Sequence, residues 1–224
     1  MPDVYVTAVG EFGQQVADRL VRRYDTYVAH PVEIPDTSRW ARARIHLVAA
    51  WREAPSLFDK ADRMAFVTGR PWLPITLDAT SGRVGPFVSG RRGPCYRCFQ
   101  ARQYQHGRLR EMDRELFRRY DSDPTIGVGG HLGAHVCLAV AAAARCIDAV
   151  LAGDADKEFG RLRRFGLLTP QWSTDTVLAV HGCDRCGRAG PDSTWADLSR
   201  DMRLLTGEPG DRRRVPSSVN GAGG

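Results

Sequence analysis

The chain has 224 residues, 42% of them hydrophobic and 26% charged, with a formal net charge of +6. That length supports one domain with at most an appendage and is enough to bury a proper core, and the composition is that of a soluble globular protein. The best candidate for a membrane span, 136–151, is interrupted by Arg145 and Asp148, and the N-terminus lacks a signal-peptide pattern, so a cytoplasmic protein with reduced thiols is expected, with no membrane partner. Lys60 and Lys157 are the only lysines. The arginines are scattered among Asp and Glu, which reads as a solvated basic surface rather than a nucleic-acid face.

In chain order, Val4 to Val9 is a short apolar run ended by Gly10, the pattern of a buried strand. Phe12 to Arg23 follows with Val16, Leu20 and Val21 at helical spacing. A strand, a glycine turn and a helix open a nucleotide-binding type of α/β domain. Of the G-x-G-x-x-G pattern only Gly10 and Gly13 remain; Ala8 takes the first glycine position, and Glu11 puts a carboxylate where phosphates would approach a helix N-terminus. Gly10 and Gly13 therefore read as a degenerate nucleotide loop whose shape outlasts its phosphate role.

A second strand is expected at Thr26–Ala29, and a short helix capped by Asp36 or Ser38 through Arg44. Ile45 to Ala50 reads as the next strand. Ser56 is placed to cap a helix running to about Thr68, and Trp72 to Leu77 is a strand that Pro74 assigns to an edge or a bend. Val84 to Val88 reads as the returning arm of a hairpin. Two polar helices follow, about 99–106 and 108–120, then a Pro/Gly-rich loop over 121–130 in which the acidic residues read as solvated. Leu132 to Leu151 is the most helical stretch, with Gly153 as its C-cap; its Cys137 and Cys146, nine positions apart, face opposite ways and read as buried apolar fillers. His131 and His135 are four apart, a spacing that suits a metal, but no acidic residue completes the zincin pattern and a helix cap or interface fits better. Phe159–Leu168 and Thr176–Val180 read as a late hairpin, 193–205 as a short helix, and 207–224 as a disordered tail after a domain over 1–206.

Two Cys pairs stand out: Cys95 and Cys98 in Gly-Pro-Cys-Tyr-Arg-Cys-Phe, and Cys183 and Cys186 in His-Gly-Cys-Asp-Arg-Cys-Gly. Each C-x-x-C turn aims two thiolates at one point, and two such turns supply the four soft ligands of a structural zinc tetrahedron. The knuckles are far apart in the chain, so the metal would fasten the C-terminal end onto the middle of a larger domain. Two disulfides or two redox pairs are the alternative. A redox C-x-x-C usually caps a helix after a strand, and these flanks read as loops.

The run 69–74 (Gly-Arg-Pro-Trp-Leu-Pro), then Val84-Gly85-Pro86-Phe87-Val88, Gly93-Pro94-Cys95-Tyr96-Arg97-Cys98, the Ala-rich helix and the terminal Cys183/Cys186 pair together resemble the ThiF-like proteins, relatives of ubiquitin-activating and molybdopterin-synthase-adenylating enzymes. Within that superfamily the chain is most similar to the cyclodehydratase partner proteins of thiazole/oxazole-modified peptide biosynthesis. The resemblance implies an α/β, incomplete Rossmann-like ThiF fold with a four-cysteine structural zinc site. It also implies a YcaO-type cyclodehydratase as partner, a precursor peptide leader as ligand, and a homodimer as a further possibility. The resemblance implies an N-terminal peptide-binding module, but the first strand opens the sequence, so leader capture is expected to fall to another protein or another surface. The adenylating relatives need an acidic ribose ligand, basic residues at the phosphates and an Asp for magnesium; Trp51 stands where that Asp is expected, and ATP chemistry is not expected. An active adenylating enzyme acting on a peptide C-terminal carboxylate is the alternative.

Overall fold

The computed structural model describes residues 2–29, 40–78, 80–106, 111–123, 126–127 and 129–187. The expected helix caps at Asp36 and Ser38, the helix over 193–205 and the tail from 207 lie outside the described residues. One compact unit covers Met1–Ala189. Its strands are β1 (Val4–Val9), β2 (Thr26–Ala29), β3 (Ile45–Ala50), β4 (Trp72–Leu77), β5 (Ser81–Val84), β6 (Arg161–Gly166) and β7 (Trp172–Thr176). Its helices are α1 (Gly10–Val21), α2 (Pro55–Thr68), α3 (Tyr96–Gln105), α4 (Glu111–Ser122) and α5 (Gly133–Ala152).

The strands form one seven-stranded sheet in the order β2-β1-β3-β4-β5-β6-β7. The first four are parallel and the last three join antiparallel, so the fold is mixed α/β with a Rossmann-like parallel half. β3 and β4 are buried on both faces, which is why they read as unbroken apolar runs. The period of two sorts their side chains. Ile45, Leu47, Ala49, Leu73 and Ile75 pack with Phe12, Val16 and Leu20 of α1 and Val136, Ala139 and Ala143 of α5. Val48, Ala50 and Trp72 pack on the other face with Phe58 and Ala61 of α2 and Tyr96 and Phe99 of α3.

Pro74 lies on a central strand, not at an edge. The β4–β5 ladder ends at Ile75–Val84, one pair short of it. Gly85 N–H still donates to the Pro74 carbonyl (2.8 Å), while the Gly85 carbonyl, which would have faced the missing N–H, accepts from Arg83 Nη1 instead. The returning arm after that hairpin therefore stops at Val84, and Val88 meets Trp72 only as an isolated bridge. The late hairpin also differs from expectation: its second arm is Trp172–Thr176, so the segment over 177–180 runs on to the second Cys pair.

Helix ends differ in who satisfies them. Pro55 occupies the first turn of α2 and Ser56 does not cap it. Asp121 of α4, exposed as expected, accepts instead from Ser56 N–H (3.2 Å) and Ser56 Oγ (2.7 Å) and so also serves as a capping ligand. The N-terminus of α5 is capped by His135, whose Nδ1 accepts the Leu132 N–H at 3.2 Å and whose Nε2 lies 3.1 Å from the Leu167 carbonyl. His131 packs edge-on against Phe12, and among the described residues the two histidines belong to no metal-binding group. At the other end Gly153 adopts φ 78 as the C-cap, and Arg44 Nη2 donates to the Val150 and Leu151 carbonyls (3.1 and 3.0 Å). α5 has 20 residues and a mean hydropathy of 1.7, long and apolar enough to cross a membrane despite Arg145 and Asp148; the sequence reading placed no span there. One face of it is buried against α1 and the sheet, 44% of the apolar window in all. Cys146 is buried beside Arg163, but Cys137 is exposed and is not a core filler.

Candidate metal centre and the crevice at the glycine turn

The four knuckle cysteines, 88 residues apart from one pair to the other, come together as one group, with all four sulfurs within 4.8 Å of one another. Within the first knuckle Cys95 and Cys98 Sγ are 3.7 Å apart; between knuckles Cys95–Cys183 is 3.6 Å and Cys98–Cys186 is 3.5 Å. Spacings across the knuckles match the spacing within one. A pair of separate disulfides or redox couples would draw sulfurs together inside each knuckle only. A tetrahedron with metal–sulfur bonds of about 2.3 Å has edges of about 3.8 Å. The cluster has that size and can hold a soft divalent ion such as zinc.

Local structure explains the convergence. Cys95 is the N-cap residue of α3, so the first knuckle does sit at a helix start, contrary to the loop reading of its flanks. The free N–H end of that helix favours thiolate charge. Gly93 leaves room for its neighbour: a Cβ there would lie 2.7 Å from Cys186 Sγ. Gly182 (φ 75) and Gly187 (φ 68) bracket the second knuckle in left-handed conformations. Cys95 and Cys98 are fully buried and Cys183 nearly so, with Phe66, Ala179 and Val180 packed around them. Cys98 is the acceptor of the group. Contacts with Cys186 (3.5 Å) and Cys95 (3.7 Å), with the Val180 N–H at 3.3 Å, hold its thiol well below the ordinary range, while its neighbours push the Cys95 thiol up. Metal binding displaces the protons that remain.

The second feature is the crevice at the carboxyl ends of the parallel strands, where open α/β sheets bind nucleotides. Gly10 (φ 68) starts α1 there, and a Cβ on it would lie 2.3 Å from Trp51 Cδ1. Trp51, just past β3, lays its indole against this turn. On its far side Gly127 is as close, with a built Cβ 2.6 Å from Trp51 Cη2. Arg52 stacks on Trp51 and Tyr120 and donates to the Tyr120 and Asp123 carbonyls (2.9 and 3.0 Å), tying α4 across the opening. Next to it Glu53 pairs with the buried Arg83 and accepts from Tyr96 Oη at 3.2 Å. Gly13 lies under the Ala49 carbonyl, where a Cβ would be 2.3 Å away, so it is needed for helix–strand packing. Trp51 thus lies against the glycine turn, and Arg52 ties the segment after β3 to α4 and Asp123. The sequence carried a signal for this, since an aromatic stood where an acid was expected; the Arg52 and Arg83 contacts had none.

No protein-family model and no curated protein sequence matches the chain. Solved structures do. The heterocyclase TruD superposes with a TM-score of 0.58 at 17% identity, over 83% of this chain and 27% of its own. A heterocyclase in complex with substrate and cofactor gives a TM-score of 0.60 at 16% identity, over 83% of this chain and 25% of its own. E. coli MccB gives 0.59 at 12% identity, over 85% of this chain and 66% of its own. The chain has their fold. At these identities the likeness is one of architecture, and the chain spans about a quarter of the heterocyclases' length and about two thirds of MccB's. MccB, a microcin C7 biosynthetic enzyme, has been solved with ATP and with N-formylated MccA.

Proposed function

We propose that this chain is a ThiF-like, zinc-binding partner protein in the biosynthesis of azole-modified ribosomal peptides, presenting a precursor peptide to a YcaO-type cyclodehydratase in the cytoplasm. The observation that supports the non-adenylating part of this reading is Trp51, whose indole lies against Gly10 at the glycine turn; Glu11 adds a like charge to any phosphate there. Gly10 and Gly13 then keep the outline of a phosphate loop without its work. The shared fold with TruD supports the pathway. Zinc on Cys95, Cys98, Cys183 and Cys186 would be structural, since four thiolates close the tetrahedron and leave no position for a substrate.

An active adenylating enzyme is the second reading, favoured by the shared fold with MccB, which binds ATP. Reconstitution separates the two. Incubated with a YcaO-type enzyme, ATP and a Cys/Ser/Thr-rich precursor peptide, the chain should raise the yield of dehydrated, ring-bearing peptide seen by mass spectrometry. Alone with ATP and peptide it should give neither rings nor an acyl-adenylate. Adenylate formation by the isolated chain would overturn the proposal.

A further inference from the structure

Each knuckle carries an arginine immediately before its second cysteine: Cys-Tyr-Arg-Cys at 95–98 and Cys-Asp-Arg-Cys at 183–186. Both arginines reach the same helix. α2 presents Asp59 and Asp62 three residues apart, hence on one face. Arg185 Nη2 donates to Asp59 Oδ1 at 3.0 Å and its Nη1 to Asp62 Oδ2 at 3.3 Å. Arg97 Nε donates to the same Asp59 oxygen at 3.1 Å, and its Nη1 to Asp184 Oδ2 at 2.6 Å, so the first knuckle also grips the second directly. Asp62 is locked in turn: its Oδ1 accepts from Trp72 Nε1 and from the Tyr96 N–H, both at 3.1 Å.

Burial decides what this network does. The Arg185 side chain is 10% exposed and Asp62 is 0% exposed, whereas Arg63, a further partner of Asp59, is 64% exposed. Exposed pairs such as Arg63–Asp59 add little. A buried pair adds little net stability either, because desolvation offsets attraction, but it fixes geometry. Here the geometry fixed is that of the segment beyond β7 that carries half of the sulfur set. A guanidinium gripping two carboxylates at once restrains both the position and the rotation of the second knuckle.

We propose that Arg97, Arg185, Asp59 and Asp62 form a clasp that seats the second knuckle on α2 and holds the four sulfurs in place for the metal. Arg97 and Arg185 are positioning residues: they touch no ligand atom and act through the cysteines. The clasp rests on the metal-binding reading above. Its consequence is kinetic and thermodynamic together: the knuckle is ordered before the ion arrives and stays seated while a bond to it opens, so the ion is retained.

Zinc transfer from the loaded full-length chain to excess 4-(2-pyridylazo)resorcinol, followed by absorbance, tests this. Arg185→Met should release zinc about 10- to 100-fold faster, the range seen when groups orienting metal ligands are removed. Arg185→Lys, which keeps the charge but cannot grip two carboxylates, should fall between. Arg92→Met, which breaks a surface pair with Asp156, should match the parent. The cobalt-substituted Arg185→Met protein should show altered thiolate–cobalt bands with an unchanged far-ultraviolet circular dichroism spectrum, a change that general loss of packing would not give. Should Arg185→Met fail to accumulate, Arg97→Met at the more exposed position decides, with release several-fold faster. Equal release from the parent, Arg185→Met and Arg97→Met overturns the clasp. A parent protein that holds no zinc at all instead overturns the metal reading on which the clasp rests.

Discussion

Cys183→Ser isolates the contribution of the metal to the fold. Cys183 is 8% exposed and its sulfur lies 3.6 Å from that of Cys95, so the substitution removes one of four ligands while nearly keeping the shape. An ion that binds only the folded chain stabilises it by RT ln(1 + [L]/Kd), about 4 kcal/mol when free zinc stands at a thousand times Kd. For a unit of this size, 1 kcal/mol moves the melting temperature by about 2–4 °C. Scanning calorimetry in zinc buffer should therefore place Cys183→Ser about 8–16 °C below the parent. Chelation of the parent should reproduce most of that drop and should leave the variant almost unmoved, because the variant has little bound zinc to lose. A variant melting within about 2 °C of the parent, or a parent indifferent to chelator, would refute the reasoning.

Two further expectations concern the rest of the molecule. His46 lies fully buried and stacked on Trp40 with ring centroids 3.9 Å apart, and burial pushes it down to about 3 from 6.5. The unfolded chain takes up a proton that the folded one refuses, so this contribution is whole above pH 6.5 and is lost as pH falls toward 3; between pH 7 and 5 it amounts to about 2 kcal/mol. His46→Leu should flatten the pH dependence of the urea midpoint over that range, and an unchanged slope would contradict the assignment. Trp51→Ala should cost about 2–4 kcal/mol in urea unfolding, less than a fully buried tryptophan because Trp51 is partly exposed; a loss below about 1 kcal/mol would mean that the indole does not pack the crevice.

Much of the architecture was legible because local signals agreed. The run Val4–Val9 with Gly10, the doubly buried β3, and α5 with Gly153 each carry one unambiguous period and one terminator. The cysteine cluster was legible too, because a C-x-x-C turn brings two thiols to one point whatever its context, and the four sulfurs do come together. What failed depended on distant partners. Ser56 looked like a cap, but Asp121, 65 residues on, performs that task. Pro74 looks like an edge or a bend residue, but its strand is central and the neighbouring ladder ends before it. The second arm of the late hairpin is expected over Thr176–Val180 rather than Trp172–Thr176 because Val177 and Val180 look like strand residues; instead Val177 N–H donates to the Gly160 carbonyl (2.9 Å), and Val180 N–H donates to Cys98. Arg97 and Arg185 had no readable role, since nothing local says which carboxylates a long side chain will meet.

The central claim is a nucleotide-binder's frame that holds a metal and no nucleotide. Isothermal titration of the zinc-loaded chain with ATP and magnesium tests it most directly. No heat of binding up to millimolar ATP is the result expected; saturable binding in the micromolar range would contradict the account.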